Sequence, residues 1–578
     1  MASITVPVGG AQAEAPERPR LCVSDYLRWS VDHKIIGVQY MVTAFFFFLV
    51  GGTLAMMIRW ELLTPNLDVM QTGTQYNNLF SMHGIIMIFM WIIPMLAGFG
   101  NYVLPLQLGA KDMAFPWLNA FAFWLIPPAG ILLLASFLVG APEAGWTQYP
   151  PLSTLFSGDG QTLAALSLHL LGISSILGAI NFLVTIKNMR PAGMGYFQMP
   201  LFAWSILATS IIIVLATPFL AGGLTLLILD RVAGTSFFDA TKGGDPLLWQ
   251  NVFWFYSHPA VYIMVLPGMG ILSDVLATHS RKPIFGYKMV ALSSMAIALI
   301  GFTVWAHHMF TSIQPQLRVP FMITSMIIAV PTGIKIFSWL GTLWGGKIRF
   351  TSAMLFALGF LSMFVIGGIT GVMLAAIPWD IMVHDTYFVV SHLHFVLFGG
   401  SVFAIYAGIY HWFPKITGRM LDERLGRLHF VLTYIGFFFT FFPMHLLGML
   451  GMPRRVAVYA PEFQGLNTIV SIAGFVLGIS TFILVYNVIL SLRVGKIAGA
   501  NPWRSLTLEW ATTSPPPATN FYGDPVPFPD PYGYGSPESI PYLDNIDKRY
   551  GVPEEVVVPA PKLPPTTESG ERDTRFIR

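Results

Sequence analysis

Cysteine is almost missing: the only one in 578 residues is Cys22. A single thiol excludes an intrachain disulfide, a cysteine-ligated cluster and a dinuclear thiolate copper centre, so soft-metal chemistry on this chain must rest on imidazole. Charge is scarce too, at 11% of residues, against roughly 25% in soluble domains. With 54% hydrophobic residues and a mean hydropathy of +0.63, the chain reads as an all-α polytopic membrane protein, not a soluble enzyme with one anchor. The net charge of +3 gives no electrostatic basis for a nucleic-acid partner. Residues 1–34 contain no apolar h-region of a cleavable signal. The internal repeat of many secondary transporters is also missing.

What is present is a succession of apolar runs of about 20 or more residues, long enough to span a bilayer. Twelve are expected, at 36–60, 77–105, 117–141, 163–188, 200–229, 250–277, 287–313, 320–344, 352–377, 388–414, 427–451 and 467–493. Alternate connections carry Lys111, Lys187 with Arg190, Arg281 with Lys282, Lys347 with Arg349, and Lys415 through Arg427, which places them and both termini in the cytoplasm. Arg454-Arg455 breaks that pattern on the outer side. The expected division is a cytoplasmic tail (1–34), a twelve-helix domain (35–494) and a Pro-rich cytoplasmic tail (495–578) that lies extended and docks on partner subunits.

Ionisable side chains inside such spans are functional candidates. His258 and Tyr262 are four apart and share a helix face. His392 and His394, about 200° apart on a helix, point to opposite sides, so one helix can serve two centres. His307 and His308, about 100° apart, can share a metal only at the edge of a helix face or where the helix is irregular, and His258 is the natural third ligand. His83 can complete a bis-histidine site with either His392 or His394. A lone intramembrane histidine is more often a hydrogen-bonding residue, and His169, His411, His429 and His445 are read as structural.

Trp305-Ala306-His307-His308-Met309-Phe310, the stretch from Val383-His384-Asp385-Thr386-Tyr387 to His394, Gly451-Met452-Pro453-Arg454-Arg455, and Gly172 through Phe182 resemble subunit I of the haem–copper oxygen reductases, of the bacterial cytochrome c oxidase A-type. The resemblance covers roughly residues 30–520. It implies that His83 and His394 are the axial pair of a low-spin haem, that His392 is the proximal ligand of a high-spin haem, and that His258, His307 and His308 hold a copper facing it. It further implies a covalent link from His258 to Tyr262, whose phenol can supply an electron and a proton for O–O cleavage. The haems are expected to be of type A, the high-spin one a3. Arg454, Arg455, Trp146 and Asp380 match positions near the haem propionates, and Arg59 matches one near a formyl group. His384 and Asp385 resemble a magnesium site completed by subunit II.

The same resemblance implies partners. Subunit II carries the dinuclear copper centre, subunit III and small membrane subunits complete the complex, and cytochrome c or a cytochrome domain donates electrons to O2. Membership of a respiratory supercomplex is left open. The location implied is the bacterial inner membrane. Proton routes would run from Asp112 past Asn101, Asn119, Ser174, Ser175 and Asn181 (D-type), and through Ser273, Lys335, Thr332 and Tyr262 (K-type). One departure stands out: where many relatives have glutamate two residues after the first copper ligand, this chain has Ala260. Tyr256-Ser257 resembles a subgroup in which a Tyr-Ser pair takes that place, and Tyr256 shares a helix face with Ala260. The implied activity is four-electron reduction of O2 to water, coupled to proton pumping. The competing readings are a quinol oxidase or nitric oxide reductase of the same superfamily, and a twelve-span secondary transporter.

Overall fold

The computed structural model describes residues 23–550; Cys22, the residues before it and those from 551 onward lie outside them. Eleven helices among the described residues are long and apolar enough to cross a membrane: α1 (His33–Glu61), α2 (Gly73–Gln107), α3 (Pro116–Val139), α4 (Gly160–Asn188), α5 (Leu201–Val232), α6 (Pro246–Ser280), α8 (Pro315–Leu343), α9 (Ser352–Ala375), α10 (Tyr387–Thr417), α11 (Glu423–Met449) and α12 (Pro461–Val494). Between α6 and α8 lies a shorter apolar helix, α7 (Tyr287–Thr303). The mapping of apolar runs onto helices is therefore close, and no strand is formed among the described residues.

The ends of these helices follow from their polar flanks. Asp32, Thr72, Asp245, Thr351, Thr386 and Asp422 each cap a helix by accepting from a backbone N–H of its first turn, which satisfies donors that the helix leaves unpaired. Pro259 and Pro267 lie inside α6, where each removes one ladder hydrogen bond, a loss tolerated where neighbouring helices enclose the backbone. That helix is the most enclosed span, with 89% of its apolar window buried, so it is the post around which the others stand.

Three irregularities matter for the site. α2 contains a π-helical stretch over Ile86–Ile92, beginning three residues after His83, and α10 contains one over Leu397–Val402, three residues after His394. Such bulges rotate the following residues and cluster at functional sites. The third corrects the expected seventh span: the run 287–313 is not one helix, because α7 gives way to 3₁₀ turns at Gly301–Thr303 and Trp305–Met309, with Val304 between them in a non-helical conformation. His307 and His308 thus sit on irregular backbone, the case in which adjacent histidines can converge.

For the segment after Val494 the expectation is an extended tail that docks on partner subunits. Through residue 548 it packs on the helical body of the same chain. Trp510 and Tyr532 are fully enclosed; Trp503 Nε1 donates to the His411 carbonyl at 2.7 Å, Trp412 Nε1 donates to Glu509 at 3.2 Å, and Lys415 donates to the carbonyls of Ala500 and Thr512. Proline removes backbone donors and breaks helices, and the segment is irregular apart from a 3₁₀ turn at Leu508–Trp510 and a helix at Ser539–Tyr550; its aromatic side chains bury against the helix ends and anchor it.

Candidate functional site

The apolar faces of α1, α2, α6, α8, α9, α10, α11 and α12 enclose a cavity of about 1420 Å³. Its lining includes His83, His258, His307, His308, His392, His394, Tyr262, Arg59, Trp146, Asp380, His384, Asp385, Arg454, Arg455 and Thr332. Residues from Arg59 to Arg455 are brought to one space.

His258, His307 and His308 each offer a ring nitrogen, and the three lie within 4.8 Å of one another. His258 Nδ1 is 3.2 Å from His308 Nε2, and His307 Nε2 is 3.1 Å from the same atom. Neighbours fix these orientations. Ser325 Oγ donates to the Phe321 carbonyl at 2.5 Å and so accepts from His307 Nδ1 at 2.7 Å, which leaves the His307 Nε2 lone pair facing the cluster. Trp254 stacks on the His308 ring at 3.7 Å and 14°. The other nitrogen of His258, Nε2, is buried with no partner, and the Tyr262 ring lies 4.8 Å from that imidazole. Three converging imidazoles of this kind can hold one copper, zinc or iron ion.

Across the cavity, the rings of His83 and His394 are 6.5 Å apart and 15° from parallel. Their Nδ1 atoms donate to the carbonyls of Gly51 (2.8 Å) and Val390 (2.7 Å). Both Nε2 lone pairs are thereby free for a metal between the rings, a gap that two bonds of about 2 Å and the ring radii fill. His394 also stacks on Phe441 at 4.2 Å. His392 turns to the other side of α10, where its Nδ1 faces the Gly367 carbonyl at 3.0 Å and Thr370 Oγ1 at 3.1 Å. Gly371 permits that approach, since a Cβ there would stand 3.0 Å from the His392 ring. Of the two partners that spacing leaves open for His83, it is His394 whose ring lies opposite it, while His392 faces away.

The outer rim is cationic. Arg454 donates to Asp385 and forms an ion pair with it. Arg455 has no ion-pair partner among the described residues; it reaches only Thr147 Oγ1, at 3.4 Å. Burial and the adjacent Arg454 pull its guanidinium down to about 10. A half-buried guanidinium facing a cavity, with no ion-pair partner among the described residues, is a seat for an anion. Asp385 is held below the usual carboxylate range: burial raises it, but Arg454 and His384 outweigh that. His384 Nδ1 donates to Asp380 at 3.0 Å, and its Nε2 lies 3.8 Å from Asp385. Arg59, buried in α1, donates to Ser471 Oγ at 2.8 Å and Asn467 Oδ1 at 3.1 Å across on α12.

The expected proton-route residues are only partly brought together. Asn101, Ser174, Ser175 and Tyr256 line a second cavity of about 60 Å³. Asn119 lies outside it, with both side-chain polar atoms unpaired, and Asn181 is occupied with the backbone of Phe115. Ser257 is buried and its hydroxyl has no partner. Lys335 is buried in α8, but its ammonium donates to Ser294 Oγ at 2.7 Å and the Val290 carbonyl at 3.0 Å, both on α7, not to Ser273. Ser273 accepts from Trp339 Nε1 at 2.9 Å instead. Ser325, Thr370 and Ser294 escaped the sequence reading because each meets its histidine or lysine from another helix, and no local spacing announces that.

Asp112 sits on the α2–α3 connection, where burial raises its carboxyl to about 6 although the Met113 N–H opposes the shift. The fold therefore penalises the ionised form. That penalty is absent below the unfolded value near 3.8, grows as pH rises and is complete above about 6. Asp112→Asn is expected to unfold at a temperature no lower than the unsubstituted protein at about pH 8; a clear drop in melting temperature there would mean that the carboxylate stabilises the fold.

A bundle of membrane helices around one cavity, with a three-imidazole cluster facing a bis-imidazole pair and a further single imidazole, defines a membrane protein built to hold several metal centres. The family of such proteins is identifiable. Residues 35–476 match the family of cytochrome c and quinol oxidase polypeptide I, and the chain belongs to that family. Membership implies haem and copper. The chain is 60% identical to cytochrome c oxidase subunit 1 of Synechocystis sp. over 89% of its length and 94% of the relative. It is 57% identical to that of Thermostichus vulcanus over 90% and 95%, and 47% identical to that of Bacillus subtilis over 86% and 80%. Its fold resembles a solved haem–copper terminal oxidase dimer with a TM-score of 0.72 at 18% identity, over 89% of each chain.

Proposed function

We propose that the chain is the catalytic subunit of a cytochrome c oxidase of the respiratory chain. It reduces O2 to water with electrons delivered through a subunit II, and it couples that reduction to proton translocation. The observation that carries this reading is the single cavity onto which the His258/His307/His308 cluster, His392 and the His83/His394 pair all open. The residues present fit the groups required. His83 and His394 would hold one haem iron, His392 the second, and the three-histidine cluster the copper, while Arg455 and Arg454 would neutralise the propionates. When bound, these metals supply the electrons for cleavage of the O–O bond.

The chain's own contributions follow from its geometry. Ser325, Gly51, Val390 and Gly367 fix the tautomers that present each Nε2 to a metal. Tyr262 places its phenol beside His258, with the free Nε2 available for the covalent link that the family resemblance implies. The enclosing apolar walls exclude bulk water, so substrate protons must arrive through side chains. Lys335 stands on one route toward Tyr262, with Thr332; Asp112, Asn101, Ser174 and Ser175 stand on another, which ends at Tyr256-Ser257 in place of the glutamate missing at Ala260. A phenol has an unperturbed pKa of about 10, so Tyr256 would relay protons through water and not store one. His384 and Asp385 would complete a magnesium site with a carboxylate of subunit II. Twelve crossings, with α7 as the seventh and both termini cytoplasmic in a bacterial cell membrane, complete the topology; the haems would be of type A.

Ser325→Ala is expected to lower copper affinity by about tenfold to a hundredfold, the usual cost of losing such a supporting hydrogen bond, with both haem spectra intact; an unchanged affinity in a chelator competition would show that Ser325 does not orient His307. Oxygen uptake by the purified complex tests the function as a whole. It should be driven by reduced cytochrome c and not by a quinol. Uptake driven by quinol alone would make the chain a quinol oxidase subunit, and a complex without haem bands would favour a transporter.

A further inference from the structure

The second cavity has a wall that the proposed route does not use. Asn101, Ser174 and Ser175 approach from α2 and α4, Tyr256 from α6 and Tyr40, whose hydroxyl lies 3.4 Å from Ser174 Oγ, from α1; the remaining polar lining is Thr209 with Ser210, both on α5. Thr209 is buried, at 6% exposure, and its hydroxyl has no hydrogen-bond partner. That is unusual for a mid-helix threonine, which normally bonds back to the carbonyl four residues earlier. Thr225 on the same helix does so at 2.8 Å, as does Thr185 on α4 at 2.7 Å. Asn101 Oδ1 is likewise buried and unpaired, and Ser175, which donates to Leu171 at 2.8 Å, keeps its lone pairs free.

Buried hydroxyls left unpaired by protein are satisfied by ordered water where space allows. A water needs about 10–15 Å³ of free cavity space, so about 60 Å³ holds a short file. A hydroxyl both donates and accepts, so it can hold a water in the middle of such a file and pass a proton along it.

We propose that Thr209 is the positioning residue that anchors the water bridging Ser175 and Asn101 to Tyr256, so that α5 supplies a step of proton delivery to the Tyr-Ser pair. The inference rests on the reading that Tyr256 stands in for the glutamate absent at Ala260. It explains how a phenol that does not store a proton can still be fed: the file reaches it through a hydroxyl on the facing helix.

The test uses the purified complex with Thr209→Val, Thr209→Ser and, separately, Tyr256→Phe, reading oxygen turnover and proton release beside haem spectra and copper content. Valine keeps the shape and removes the hydroxyl, so turnover should fall about tenfold, the rate equivalent of one lost hydrogen bond, with spectra and copper unchanged. Serine restores the hydroxyl and should return turnover to within about twofold of the original. If the valine variant does not assemble, Thr209→Ala is compared with serine in the same way. Slow Tyr256→Phe with a normal Thr209→Val overturns the assignment to Thr209 and leaves Tyr256 in place. A normal Tyr256→Phe removes the reading on which the inference stands. Equal slowing by valine and serine assigns Thr209 to packing and overturns the proposal.

Discussion

His307→Asn is expected to abolish oxygen reduction, lowering turnover by more than about a hundredfold, and to strip copper from the complex while leaving a normal low-spin haem spectrum. The size of the effect follows from the cluster's economy. Only three imidazoles converge, all within 4.8 Å, and no carboxylate or further histidine joins them among the described residues. Losing one leaves two ligands, too few to hold the metal, whereas loss of a supporting hydrogen bond alone costs about tenfold to a hundredfold. A haem held between His83 and His394 should not notice, because those two rings are fixed by Gly51 and Val390, on α1 and α10. Metal content with optical spectra checks both halves. Retained copper with retained activity would take His307 out of the site.

Lys335→Met should have the second largest effect. Lys335 is 2% exposed in α8, with its ammonium donating to Ser294 and Val290 on α7. A cation held inside the bundle with no ion-pair partner among the described residues is costly, and on the proposed reading the reason to keep it is proton traffic toward Tyr262. Methionine preserves the length and removes the ionisable group. Oxygen turnover should fall by about a hundredfold or more, the scale of a lost acid–base group. The melting temperature should hold or rise, because the desolvated charge has gone. Stopped-flow turnover with calorimetry separates the two effects. Unchanged turnover would mean that the lysine is a structural cation, and a large loss of stability would mean that its two hydrogen bonds matter more than its desolvation.

How much of this was legible in the sequence depended on the range of the interaction. The spans were readable because hydropathy is a local property; eleven of the twelve expected runs are long apolar helices, and even the seventh failed only at its end. It failed because periodicity cannot foresee that a helix unwinds at Val304 to aim two adjacent histidines at a third. The opposite faces of His392 and His394 follow from helical rotation alone, but the choice of partner for His83 needed the packing of α2 against α10. The tail beyond Val494 misled in another way. Its prolines give no sign of the helix Ser539–Tyr550, nor of Trp503, Trp510 and Tyr532, whose burial against the bundle is a tertiary event. Ser325 and Ser294 were invisible for the same reason: each bonds across a helix boundary, and serine is too common to stand out.

The central claim is that one cavity holds two haem irons and a copper. Pigment extraction with iron and copper analysis of the purified complex tests it most directly. The account predicts two haems per copy of this chain, and one copper per copy that disappears in His307→Asn. A complex without haem, or one whose three-histidine site holds non-haem iron in place of copper, would contradict it.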